Sequence, residues 1–267
     1  MRYTLDDLIR LMDALRDPET GCPWDLQQTF ASIVPHTLEE AYEVADCIER
    51  EDWEHLRDEL GDLLFQVVFY ARLADEQKGF DLHVIIDQLV AKLIRRHPHV
   101  FPEGTLDRCG GDAVAVAQVN SNWEAIKQQE RDAKARGGIL DDVPLNLPGL
   151  SRAAKLQRRA ARVGFDWPDV GGVLDKIEEE IGELRQALAQ GDDDNAREEI
   201  GDLLFAQVNL ARHLDIDPEQ ALRNTNAKFE RRFGHVEAQV RANEQDWEQL
   251  SLEQLDIWWD EAKAHGL

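Results

Sequence analysis

Residues 58–75 read DELGDLLFQVVFYARLAD, and residues 198–215 read EEIGDLLFAQVNLARHLD. A shift of 140 residues superposes Glu40 on Glu180, Glu43 on Glu183, Glu59 on Glu199 and Asp62 on Asp202. It also brings Leu63-Leu64-Phe65 onto Leu203-Leu204-Phe205 and Ala71-Arg72 onto Ala211-Arg212. Farther along the offset falls to 136, with four residues fewer in the second copy. Lys92, Arg95 and Arg96 then match Lys228, Arg231 and Arg232, and Trp123 and Lys127 match Trp259 and Lys263. Coincidence over about a hundred residues means duplication, so the fold must be one that a chain can build twice.

The repeated unit reads as helices. Ala, Leu, Glu, Arg and Gln dominate its long periodic stretches, and strand-like alternation is scarce. Leu60, Leu64, Val67 and Ala71 form one stripe of an amphipathic helix. The segment GGILDDVPLNLPGL, residues 137–150, breaks helices with its glycines and prolines. The expected organisation is therefore all-α, with two duplicated helical-bundle modules at residues 1–136 and 151–267 and a linker at 137–150.

Charge narrows the function. Thirty Lys and Arg against 54 Asp and Glu leave a formal net charge of −24. Duplex DNA requires a cationic face, so nucleic acid is not an expected partner. An anionic small molecule is still admissible where bound cations reverse the local field. No stretch is apolar enough to span a membrane, and MRYTLDDLIRLMDALRDPE lacks a secretory core. Cys22, Cys47 and Cys109 have no metal-type spacing, which suits reduced thiols and a cytoplasmic location.

The carboxylates carry the chemistry. Glu40 and Glu43 are three apart and share a helix face, as do Glu59 and Asp62. In a tight antiparallel hairpin, residues equidistant from the turn face each other. Glu40 pairs with Asp62, and Glu43 with Glu59, about a centre at residue 51. Glu180 pairs with Asp202, and Glu183 with Glu199, about a centre at Gly191. Break signals, Glu51-Asp52 and Gly191 with Asp192–Asp194, stand at both centres. Four carboxylates thus converge between two helices in each copy, beside a strongly apolar run.

Desolvated carboxylates repel one another unless a cation compensates them. A hard cation with oxygen ligands fits, and Mg²⁺ is the usual one near phosphates. Zinc would favour His or Cys, and di-iron bundles use Glu-x-x-His; neither pattern occurs at this spacing. The plainer alternative is a solvated acidic face. Thr37 after Pro35-His36 also reads as an N-cap, which would make Glu40 part of a capping box. The second copy has Ile177 at the Thr37 position. Gly61 and Gly201 cost helix stability, and close approach of a helix or ligand would account for them. Downstream, Lys228, Arg231 and Arg232 share a face and are suited to phosphate oxygens, or else to a surface cluster with Glu230. Trp259 stacks either on a base or in the core.

These residues resemble a known family. EExxE, EEIGDLLF, KFERR and a terminal WxxAK are similar to the MazG-type nucleoside triphosphate pyrophosphohydrolases. HTLEEAYEVADCIE, KLIRRHPHVF and VGFDWP resemble its two-domain bacterial form. The resemblance implies an all-α homodimer and Mg²⁺-dependent hydrolysis of nucleoside triphosphates to monophosphate and pyrophosphate, with Mn²⁺ as a substitute. It further implies a house-cleaning role. A dCTP- or dUTP-specific pyrophosphatase and a non-enzymatic nucleotide sensor are the alternatives. By the same resemblance, Glu180, Glu183, Glu199 and Asp202 are the metal ligands. Substrate contacts fall on Lys176, Lys228, Arg231, Arg232 and Trp259, and on Arg197 and Glu198 just before Glu199. The family often has a Lys where this chain has Asn195.

The expected chemistry uses a metal-activated water on the α-phosphorus. Glu179, or a ligand carboxylate among Glu180, Glu199 and Asp202, takes the proton. The absence of GxxxxGK[ST] excludes a P-loop ATPase. The second copy is the expected catalytic one by analogy. The first keeps Glu40, Glu43, Glu59 and Asp62 with Lys92, Arg95, Arg96 and Trp123. It is a second active site, a regulatory site or a dimer scaffold.

Overall fold

The computed structural model describes residues 2–107, 110, 115, 118–119, 122–123, 126 and 138–267. Cys109, Lys127 and Gly137 lie outside the described residues. Among the described residues there are ten α-helices, one 3₁₀ turn and no strand, as an all-α chain requires. The chain divides into two compact units, Met1–Lys134 and Ala135–Leu267.

The first unit contains α1 (Leu5–Leu15), α2 (Pro23–Gln27), α3 (Phe30–Glu49), α4 (Trp53–Glu76) and α5 (Leu82–Arg96). Helices α3 and α4 form an antiparallel hairpin, and α1 and α5 pack on α4. Met12, Ile33, Val68, Phe69, Leu73 and Leu82 make the core. Arg16 is buried against it, with its guanidinium 5.3 Å from the centre of the Phe69 ring. Its charge is met by a two-pronged bond to Glu76, at 2.8 and 2.7 Å, the geometry that suits a planar guanidinium.

The start of α3 corrects the sequence reading. Thr37 is not an N-cap. The helix is capped eight residues earlier, by Thr29, which forms a capping box with Ser32. Pro35 therefore lies inside the helix. It removes one backbone donor, and the buried Ile33 and the cap hold the turn before it. The Thr37 hydroxyl instead bonds the Ile33 carbonyl at 3.1 Å and the Tyr70 hydroxyl at 2.9 Å, as a residue within a helix does. Thr29→Ala should accordingly lower unfolding free energy by about 1 kcal/mol in chemical denaturation. A loss near zero would show that the cap does not set this helix start.

The second unit contains α6 (Gly149–Ala161), α7 (Val170–Gln190), α8 (Asp193–His213), α9 (Pro218–Ala242), a 3₁₀ turn (Trp247–Gln249) and α10 (Leu252–Ala264). Helices α7 and α8 repeat the hairpin, α6 packs on α8, and α9 pairs with α10. Of the proposed linker, residues 138–148 are turns and bends, and Gly149 and Leu150 open α6.

The apolar stripe is only partly covered within the chain. Ala71 is buried, but Leu60, Leu64 and Val67 are 50%, 45% and 39% exposed. The buried face of α4 is instead Val68, Phe69, Leu73 and Ala74. Gly61 and Gly201 meet no close neighbour either. A Cβ at each would find nothing within 4 Å. Among the described residues, none makes the close approach expected there.

Candidate active site

Both hairpins turn where the carboxylate symmetry requires. Helix α7 ends at Gly191, whose φ of +70° is open to glycine at little cost. Asp192 then caps α8 by accepting the Asn195 backbone N–H at 3.1 Å. In the first unit the turn falls at Glu51, with φ of 56°, and Asp52 caps α4.

This register brings Glu180, Glu199 and Asp202 together, one carboxylate oxygen of each within 4.8 Å of the others. Glu180 is buried at 4% exposure, while Asp202 is open to solvent. Glu183 is exposed and stands outside this trio, yet close enough to repel Glu199. Burial first, then Glu183, a hydrogen bond with Glu180 and the Asp202 charge raise the Glu199 carboxyl above its usual range. Three hard oxygen donors that repel one another at Glu199 fit a divalent cation such as Mg²⁺.

Lys176 supplies the fixed positive charge. Its ammonium lies 2.8 Å from Glu180 and 2.9 Å from Glu179. Hydrogen bonds to Glu180 and then Glu179 raise its proton affinity, so it stays charged. Glu179 itself is exposed.

Lys176, Glu180 and Asp202 also line a cavity of about 360 Å³. It is also lined by Phe165 and Trp167 from the turn after α6, with Phe205 and Ala206 of α8. Its polar groups include Gln157 and Asn209. The Gln157 side-chain N–H donates to the Phe205 carbonyl at 2.8 Å, while its Oε1 is buried and accepts no bond. Arg212 donates to Asn209 and to Asp166, and His213 meets the same Asp166 oxygen at 3.1 Å. Burial pushes the Asp166 carboxyl up, but the bonds from Arg212 and His213 outweigh it and hold it below its usual range. This network fixes the turn that presents Phe165 and Trp167.

Sequence reasoning about the site missed this lining. The signals were there: the aromatic–Asp–aromatic run at residues 165–167, and Arg212, which repeats Arg72. Other expected contacts do not line the cavity. Arg197 is paired with Asp194 at 2.8 Å in the first turn of α8, and Glu198 is exposed beside it. Lys228 and Arg231 are exposed on α9. Arg232 donates to the Leu267 carbonyl at 2.8 Å and lies 5.8 Å from the Trp259 ring. Trp259 also rests on Phe229, with 5.3 Å between ring centres.

In the first unit, Glu40, Glu59 and Asp62 form the matching trio, again within 4.8 Å. Burial, then Asp62, Glu43 and Glu59, raises the Glu40 carboxyl; burial, then Glu43 and Asp62, raises that of Glu59. Lys92, Arg95 and Arg96 lie on α5, and Trp123 rests against His97 at 5.6 Å between ring centres.

The duplication also appears in comparison with known proteins, as two matches to one family model. The family model of the MazG nucleotide pyrophosphohydrolase domain matches residues 28–101 and 172–237, once in each unit. A protein named nucleoside triphosphate pyrophosphohydrolase from Escherichia coli (strain K12) is 50% identical over 265 residues, 98% of each chain. One from Thermotoga maritima, named nucleoside triphosphate pyrophosphohydrolase/pyrophosphatase MazG, is 43% identical over 259 residues, 97% of this chain and 95% of that protein.

Proposed function

The chain belongs to the MazG nucleotide pyrophosphohydrolase family, and from that premise we propose that its second unit cleaves nucleoside triphosphates to monophosphate and pyrophosphate. The observation that carries this reading is the cavity: a mostly apolar recess of about 360 Å³ with Lys176, Glu180 and Asp202 at one side. A nucleoside fits the recess, and its phosphates then lie at the carboxylates.

Glu180, Glu199 and Asp202, with Glu183 beside them, would hold Mg²⁺ or Mn²⁺. A cation there supplies Lewis acidity toward phosphate oxygens and water. The chain's own residues do the rest. Lys176 holds the Glu180 carboxylate in place. Glu179, or one of the trio, accepts the proton of the attacking water. The water oxygen bonds to the α-phosphorus, the bond to the bridging oxygen breaks, and pyrophosphate leaves with that electron pair. Lys228 and Arg231, exposed on α9, take charge from the outer phosphates, with Arg232 held behind them against Trp259. Phe165 and Trp167 offer stacking faces to the base. Apolar walls discriminate poorly between bases, which favours broad nucleotide-pool cleaning over a single substrate.

The uncovered Leu60, Leu64 and Val67, and Ile200 and Leu204 in the second unit, suit a second copy of the chain, and a homodimer is the proposed assembly. No helix among the described residues is long and apolar enough to cross a membrane. The free Cys22 and Cys47 and the proposed substrates fit the cytoplasm.

Anion-exchange analysis after incubation with each nucleoside triphosphate and Mg²⁺ tests the reading. Monophosphate and pyrophosphate in equal amounts are expected from several bases. Diphosphate with orthophosphate would overturn the bond assignment. Turnover of a single base would select the specific enzyme, and binding without turnover the sensor.

A further inference from the structure

A second group of ligand-type side chains lies away from the carboxylate hairpins. His235 of α9, Glu261 of α10 and His265 at the C-cap of α10 each bring one donor atom within 4.8 Å of the others. We propose that these three residues form a Zn²⁺-type site that fastens the last helix to α9.

The donor set differs from the hairpins. Two imidazoles and one carboxylate suit a borderline cation, whereas Mg²⁺ takes oxygen alone. One ligand-to-ligand distance already matches a tetrahedral site. Bonds of about 2.1 Å place neighbouring ligand atoms roughly 3.4 Å apart. His235 Nε2 and the Glu261 carboxylate are 3.5 Å apart.

His235 Nε2 is buried and has no hydrogen-bond partner. A histidine held only for packing would be expected to satisfy that nitrogen. Here it faces a carboxylate 3.5 Å away that does not bond it, with the His265 ring 5.6 Å away between centres. A cation would satisfy all three groups.

The backbone is already set for it. Glu261 and His265 are four apart, so both project from one face of α10. The His265 N–H bonds the Glu261 carbonyl at 3.0 Å, and Gly266, at φ of +79°, turns the chain back so that Leu267 bonds Ala262 at 3.1 Å. The exposed His265 side chain lies at the open edge of the site. Water takes the fourth position. The site would hold α10 beside Arg232, one turn before His235, and Trp259, two residues before Glu261. It is thus placed to stiffen that part of the second unit.

The test uses the full chain, stripped with chelator and titrated with Zn²⁺ against a chromophoric chelator. Millimolar Mg²⁺ occupies the hairpin carboxylates. Wild type should hold one more tight Zn²⁺ per chain than the double variant His235→Gln/His265→Gln. Each single variant should weaken that ion at least ~10-fold. Co²⁺ should give visible bands of tetrahedral intensity in wild type only. Equal uptake and affinity in wild type and the double variant would overturn the proposal. So would loss of the ion in His235→Gln with full retention in His265→Gln, because His265 would then be no ligand. His265 is exposed at a helix end, so its variant tests the site without threatening the fold.

Discussion

Glu180→Ala and Asp202→Ala are each expected to lower pyrophosphate release at least ~10²-fold at limiting Mg²⁺, because losing one ligand misplaces the charge-stabilising cation. The two residues reach the site by different routes. Glu180 is buried and held by Lys176 at 2.8 Å, so its oxygen has a fixed position. Asp202 is solvent-exposed and held mainly by the helix that carries it. Neither loss should unfold the chain. Glu180→Ala relieves repulsion on Glu199, and Lys176 keeps Glu179 as a partner at 2.9 Å. The check is steady-state kinetics beside far-UV circular dichroism. Near-normal turnover in both variants, with unchanged helix content, would remove the second unit's carboxylates from the chemistry.

The hairpins were legible in the sequence because their logic is local. Two carboxylates three apart, a left-handed glycine and an aspartate cap fix the register of Glu180 against Asp202 without reference to the rest of the chain. The cavity was not legible for the opposite reason. Gln157, the Phe165–Trp167 turn and Arg212 come from three separate stretches, and only packing brings them together. Even the repeat misleads there. Arg72 pairs with Asp13 at 2.9 Å and Glu76 at 3.1 Å, whereas its counterpart Arg212 pairs with Asp166. The start of α3 was misread because a proline usually sits in the first turn, and here the cap lies six residues before it. The stripe at Leu60, Leu64 and Val67 shows a different limit. Periodicity says which residues would be stabilised by burial, but not whether their own chain buries them.

Glu199→Gln should abolish most turnover, and Glu59→Gln should leave most of it. The substitution removes a charge with little change of volume, so it compares the two units on equal terms. The trios themselves do not separate them, since both gather three carboxylate oxygens within 4.8 Å. The surroundings do. Beside Glu180 stands Lys176, charged and bonded to it. The corresponding residue in the first unit is His36, which approaches Glu39, at 3.7 Å, and stacks edge-on with Trp24. Glu40 is therefore left with burial and three carboxylates raising its proton affinity. Position 36 thus gives the first trio no counterpart of Lys176, and the second trio opens on a cavity sized for a nucleoside. In this reading the first unit keeps its carboxylates for cation binding and serves assembly more than turnover. Equal losses in the two variants would mean two working sites. The reverse pattern would place the chemistry in the first unit and make Lys176 a structural ion pair.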